Sequence, residues 1–111
     1  MGRNAIEVTL PDGKRVLLVE LNLGERKRAL QLSAKEPEAT REMESGLQML
    51  RLAVRKVDDR DVKYEDLTGD LLEERFGTRG VDLLSVAYRR FAFPEASEVE
   101  ATLGNIRAIA I

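Results

Sequence analysis

Residues 5–20 read Ala5-Ile6-Glu7-Val8-Thr9-Leu10-Pro11-Asp12-Gly13-Lys14-Arg15-Val16-Leu17-Leu18-Val19-Glu20, and this stretch sets the reading of everything after it. Residues 5–10 alternate and are rich in β-formers, and residues 15–20 do the same on the return. Between them Pro11-Asp12-Gly13-Lys14 supplies a turn: proline fixes φ, aspartate bonds its own backbone, and glycine accepts φ > 0. Two such runs around a turn predict an N-terminal β-hairpin over 5–20. A two-stranded hairpin is marginally stable alone in water, so this one must lie on helices or pair with another chain.

Past residue 21 the apolar period changes from two to between three and four. Asn22 with Glu25 three residues on has the form of a capping box and predicts a first helix over 23–35. Pro37 ends that helix and suits the first turn of the next. The second helix, predicted over 38–57, is the strongest periodic segment: Ala39, Met43, Gly46, Leu47, Leu50, Val54 and Val57 fall on one face. Met49, Leu52 and Ala53 lie outside that stripe and widen it, which places this helix at the centre of the fold.

From Asp58 to Asp70 the chain turns acidic, with Val62 and Tyr64 alternating among charges, and reads as a loop or very short strand. A short third helix through Leu71, Leu72 and Phe76 follows, then a turn at Gly77-Thr78-Arg79-Gly80. A fourth helix carries Val81, Leu84, Ala87, Tyr88 and Phe91 on one stripe and ends at Pro94. Ser97 with Glu100 opens a last short helix in which Ala96, Val99, Leu103 and Ile106 recur at three and four. The residues beyond, ending Ile109-Ala110-Ile111, are apolar where chain ends are ordinarily polar. The predicted fold is therefore mainly α with a small β element: an N-terminal β-hairpin followed by a four- to five-helix bundle. It forms a single domain over 1–111, with the hairpin at 5–20, the bundle at 23–106 and an apolar tail at 107–111.

Composition narrows the function. The chain of 111 residues has no cysteine and no histidine, which removes the usual zinc ligands, the Ser-His-Asp and Cys-His machineries, and disulfides. Charged residues reach 34% and the net charge is −2, with acids and bases interleaved, so bulk electrostatics favour neither nucleic acid nor an anionic membrane. No apolar run approaches the roughly 20 residues that span a bilayer, and none after Met1-Gly2-Arg3-Asn4 suits a secretory signal; a cytoplasmic protein is expected. Asp58-Asp59-Arg60-Asp61 begins like a calcium loop. Tyr64 then stands where the sharp-turn glycine belongs and Asp70 where a bidentate glutamate is usual, so a solvated acidic turn is the better reading. Glu25-Arg26-Lys27-Arg28 is basic, but Glu36, Glu38, Glu42 and Glu44 follow and oppose a phosphate backbone. No catalytic residue, metal ligand or cofactor is assigned.

What remains is surplus apolar surface, which usually marks an interface. The residues expected to meet a partner are Met49, Leu52 and Ala53 on the second helix and Val99, Leu103, Ile106, Ile109 and Ile111 near the C-terminus. Of these, the tail over 107–111 is expected to serve binding more than folding.

The order of these elements resembles the tail assembly chaperones of long-tailed bacteriophages. The residues that carry the likeness are Val8-Thr9-Leu10-Pro11-Asp12-Gly13-Lys14, the charged helix pair, the stretch Val57 to Leu67, and Asp82-Leu83-Leu84-Ser85-Val86-Ala87-Tyr88-Arg89-Arg90-Phe91 before Pro94. The resemblance implies a non-enzymatic chaperone that coats the helical tape-measure protein until tail-tube subunits replace it. It also implies copies that associate along the client through the hairpin edge and an apolar helix. The departure is the downstream extension that many such chaperones gain by ribosomal frameshifting, which is not among these residues. A small structural virion component, such as a baseplate or connector subunit, fits the same surface features.

Overall fold

The computed structural model of the chain describes residues 3–92. In order, it comprises β1 (Ala5–Thr9), β2 (Arg15–Val19), α1 (Leu23–Ser33), α2 (Glu38–Ala53), β3 (Val54–Val57), β4 (Arg60–Asp61), a 3-10 turn (Tyr64–Leu67) and α3 (Leu71–Ala92).

The hairpin forms as its sequence dictates. Ala5 pairs with Val19 and Thr9 with Arg15 in an antiparallel register. Gly13, at φ 93°, donates its N–H to the Leu10 carbonyl at 2.8 Å, and Asp12 Oδ1 accepts from the Lys14 N–H at 3.0 Å. That last bond holds the exposed Asp12 carboxyl below its ordinary pKa, because it favours the charged form. At α1, Asn22 accepts from the Glu25 N–H at 2.8 Å while Glu25 accepts from the Asn22 N–H at 3.1 Å, a complete capping box.

The expected four- to five-helix bundle is not the architecture. Among the described residues there are three helices and a four-stranded antiparallel sheet in the order β1-β2-β3-β4. The difference arises at the end of α2, which stops at Ala53 rather than continuing to Val57. Val54-Arg55-Lys56-Val57 instead runs along β2, with Leu18 opposite Val54, Leu17 opposite Lys56 and Val16 opposite Val57. The pairing skips Arg55, the extra residue of a β-bulge. A bulge adds one residue to the strand period, so Val54 and Val57, three apart, are both buried. Spacing of three on β-branched residues thus mimicked a helix face. The third strand also relieves the marginal hairpin, since β2 is now paired on both sides.

β3 and β4 join through Asp58-Asp59, at φ 51° and 68°. Two residues with positive φ are what a two-residue type I′ hairpin needs, and aspartate tolerates that region better than most side chains. α3 carries its own interruption: Gly77, at φ 73° and ψ 163°, breaks the helix between Phe76 and Thr78, where the glycine pair predicted a turn. Only glycine occupies that conformation cheaply.

The core joins the two layers. Val16 and Leu18 from β2 and Val54 and Val57 from β3 cluster with Leu50 of α2 and Leu72, Phe76, Leu84 and Tyr88 of α3. The predicted last helix, the Pro94 stop and the tail over 107–111 lie outside the described residues.

Candidate partner-binding surface

The apolar stripe predicted for the second helix divides into two halves. Leu50, Val54 and Val57 are buried, whereas Ala39, Met43 and Gly46 are exposed and Leu47 is half-buried. The open half faces α3 across a seam. One hollow along it, of about 660 Å³, is walled by Met43, Gly46, Leu47 and Met49 from α2 and by Val81, Ser85 and Tyr88 from α3. A second, of about 510 Å³, shares Met43, Leu47, Val81 and Asp82 and continues towards Gly69 and Glu73. The two hollows share these four residues and border the seam between α2 and α3, and they are together called the α2–α3 groove. Met43, 66% exposed, stands at their junction.

A polar cluster braces one side of this groove. Arg51 is only 6% exposed although it is a cation on a helix. Its Nε donates to the Leu67 carbonyl at 2.9 Å, one terminal nitrogen to the Gly69 carbonyl at 3.1 Å, and the other to Glu44 Oε1 at 3.0 Å. Gln48 donates to the same Glu44 oxygen at 3.0 Å and accepts from the Tyr64 hydroxyl at 2.6 Å. The guanidinium of Arg28 lies 5.7 Å from the Tyr64 ring centre, within cation–π reach. The cluster pins the segment that leads into α3 against α2, and so fixes where α3 begins. A buried cation retained with this many partners serves geometry more clearly than it serves stability.

The rim of the groove carries charges of both signs: Glu42 from α2, with Asp82 and Arg89 two turns apart on α3. At the core side, burial pushes the Tyr88 phenol above its ordinary pKa, and its hydroxyl lies near the Leu21 backbone without completing a hydrogen bond among the described residues.

Of the residues expected to meet a partner, Met49 and Leu52 are half-buried and pack against the core, and Met49 also lines the groove. Ala53 is a correction: at 0% exposure it is core and offers a partner nothing. The widened stripe placed it outward, but it belongs to the buried core cluster with Leu50 and Val54. Val99, Leu103, Ile106, Ile109 and Ile111 lie outside the described residues. Sequence reasoning assigned Met43, Leu47 and Tyr88 to core stripes and passed over Arg51, because α2 also carries the exposed Arg41 and nothing local distinguishes the two. It also passed over Leu23 and Leu30 on α1, 67% and 55% exposed, because α1 turns its small residues Ala29 and Ser33 inward instead.

The acidic turn has a structural explanation. Asp58 Oδ1 accepts the Arg15 backbone N–H at 3.0 Å, and Asp59 Oδ2 pairs with the Arg15 guanidinium at 2.6 Å, raising the Arg15 pKa. Among the described residues no group of acids is arranged to hold a metal ion. In the basic cluster, Glu25 is shared between Arg3 and Arg55. No described helix is long and apolar enough to cross a membrane. Comparison with family models, with curated proteins and with solved structures finds no match to this chain.

Proposed function

We propose that this chain is a non-enzymatic protein-binding domain that takes an amphipathic helix into the α2–α3 groove. In the role suggested by its resemblance, it is a tail assembly chaperone coating the tape-measure protein in the host cytoplasm. The observation that carries the reading is the groove itself: buried Val81 and Tyr88 and half-buried Leu47 lie at its base, with exposed Met43 and half-buried Met49 beside them. Grooves of this kind bind helices through anchors at i, i+3, i+4 and i+7. Methionine adapts its shape to varied apolar surfaces, which suits a client whose sequence changes along its length.

The test is co-expression with the tape-measure protein encoded nearby, followed by purification through a tag on the client. The chain is expected to co-purify. Met43→Glu is expected to abolish capture with an unchanged melt, whereas Leu30→Glu on α1 retains it. Equal loss from both variants, or capture that survives Met43→Glu, rejects the groove as the site. Recovery of the chain in purified particles would instead favour a baseplate or connector subunit.

A further inference from the structure

We infer that, with no client present, the chain associates head to tail, α1 of one copy lying in the α2–α3 groove of the next. The inference rests on the reading of the groove as a helix site, and it names a second copy of this chain as an occupant.

The first observation is that α1 carries its large apolar residues on the outside. Its buried residues are the small Ala29 and Ser33, whereas Leu23 and Leu30 are 67% and 55% exposed. Leu23, Lys27, Leu30 and Ala34 are all exposed and recur at i, i+4, i+7 and i+11, which aligns them along one stripe. Anchors at such spacing are what a helix-binding groove receives. None of the four lines either hollow of its own chain, so the stripe is open to a neighbour.

The second observation is charge, which selects the partner. From Arg26 to Lys35 the chain has four cations, Arg26, Lys27, Arg28 and Lys35, and no acid. The hollows are lined by six acids, Glu36, Glu42, Glu44, Asp70, Glu73 and Asp82, against Arg51 and Arg89. Arg51 is already paired with Glu44, so the groove is acidic on balance. A basic helix bearing leucines and an acidic groove with an apolar base are complementary, and one chain carries both. Packing α1 on α1 of a second copy would instead bring two basic runs together, which opposes a two-fold contact through this helix.

The third observation is Gly46, in the interior of α2 and lining the larger hollow. A methyl group there would meet no atom within 4 Å among the described residues, so packing inside the chain does not call for glycine. Glycine weakens a helix interior relative to alanine, but here it leaves room for a leucine arriving from outside. A head-to-tail contact leaves one α1 and one groove unused at the ends, so it grows past the dimer into rings or filaments. A client helix in the groove takes the place of α1.

Sedimentation equilibrium on the full-length chain tests this. The weight-average mass is expected to rise with concentration past that of a dimer and to fall as salt screens the charges. Leu30→Glu places an acid against the acidic groove, and Met43→Lys places a cation against the basic helix. Both positions are exposed, so neither variant should move the melt. Each variant alone is expected to stay monomeric. Mixed in equal amounts, they should form a dimer and nothing larger, because the intact α1 of Met43→Lys fits the intact groove of Leu30→Glu. A mixture that stays monomeric overturns the inference, as does a parent chain that never exceeds a dimer. Association lost in Leu30→Glu but kept in Met43→Lys overturns it in favour of α1 packed on α1. Client capture by Leu30→Glu reports on the groove as a helix site whichever of these results is found, so the two readings fail separately.

Discussion

Replacing Arg51 with methionine tests what holds the α2–α3 seam in place. The substitution keeps the packing of the side-chain stem and removes the guanidinium alone. Three acceptors lose their donor: the Leu67 and Gly69 carbonyls and the Glu44 carboxylate. Breaking a buried ion pair from one side costs about 3–5 kcal/mol. Here part of that is recovered, because the Glu44 side chain is 24% exposed and keeps its bond from Gln48, and Gly69 is exposed to water. Leu67 is fully buried, and leaving a buried carbonyl unsatisfied costs about 1–3 kcal/mol. The expected loss is therefore at the low end, about 3 kcal/mol, or a fall of about 10–20 °C in Tm for a domain of this size. Urea melts measure it, with the slope unchanged if the denatured state is unaffected. Amide exchange should quicken first between Thr68 and Leu71. Arg41→Met is the control: Arg41 is exposed and, among the described residues, bonds only the Glu36 carbonyl, so its loss stays within about 0.5 kcal/mol. If the two variants melt together, Arg51 does not brace the seam and the account of the groove's geometry is wrong.

Leu50→Ala removes a side chain 1% exposed at the centre of the core and should cost about 2–5 kcal/mol in the same melts; a loss comparable to Arg41→Met would move the core elsewhere. Gly77→Ala should cost about 1–3 kcal/mol although no atom crowds the new methyl group, since the strain is in the backbone; an unchanged Tm would show that the break in α3 relaxes freely. Tyr88→Phe concerns pH. The folded-state pKa of Tyr88 is raised, so its contribution is whole below the unfolded value near 10 and drains away as pH rises through the folded one. The variant should be within about 1 kcal/mol of the parent at pH 7, because the hydroxyl it removes completes no hydrogen bond among the described residues, and should unfold later in an alkaline titration. An identical alkaline midpoint would refute the burial of that phenol.

Local chemistry was legible in the residues themselves. The Pro11-Asp12-Gly13 turn, the Asn22–Glu25 cap and the break at Gly77 each depend on side chains within three or four positions, and each stands where the pattern placed it. A turn or cap satisfies its own backbone groups, so no distant partner is needed to specify it.

Where the sequence misled, the deciding partner was far away along the chain. Val54 to Val57 could have extended α2, and its spacing favoured that. Pairing with β2, some forty residues earlier, and the bulge at Arg55 made it a strand and turned the expected bundle into a sheet with helices on it. Arg51 looked like a surface cation until the carbonyls of Leu67 and Gly69 came round to meet it. The stripe on α2 was visible as a stripe, yet nothing local said that Leu50 would be sealed while Met43 stayed in water. Periodicity records which residues share a face. Which part of that face is covered depends on where α3 sits, and only the tertiary structure decides that.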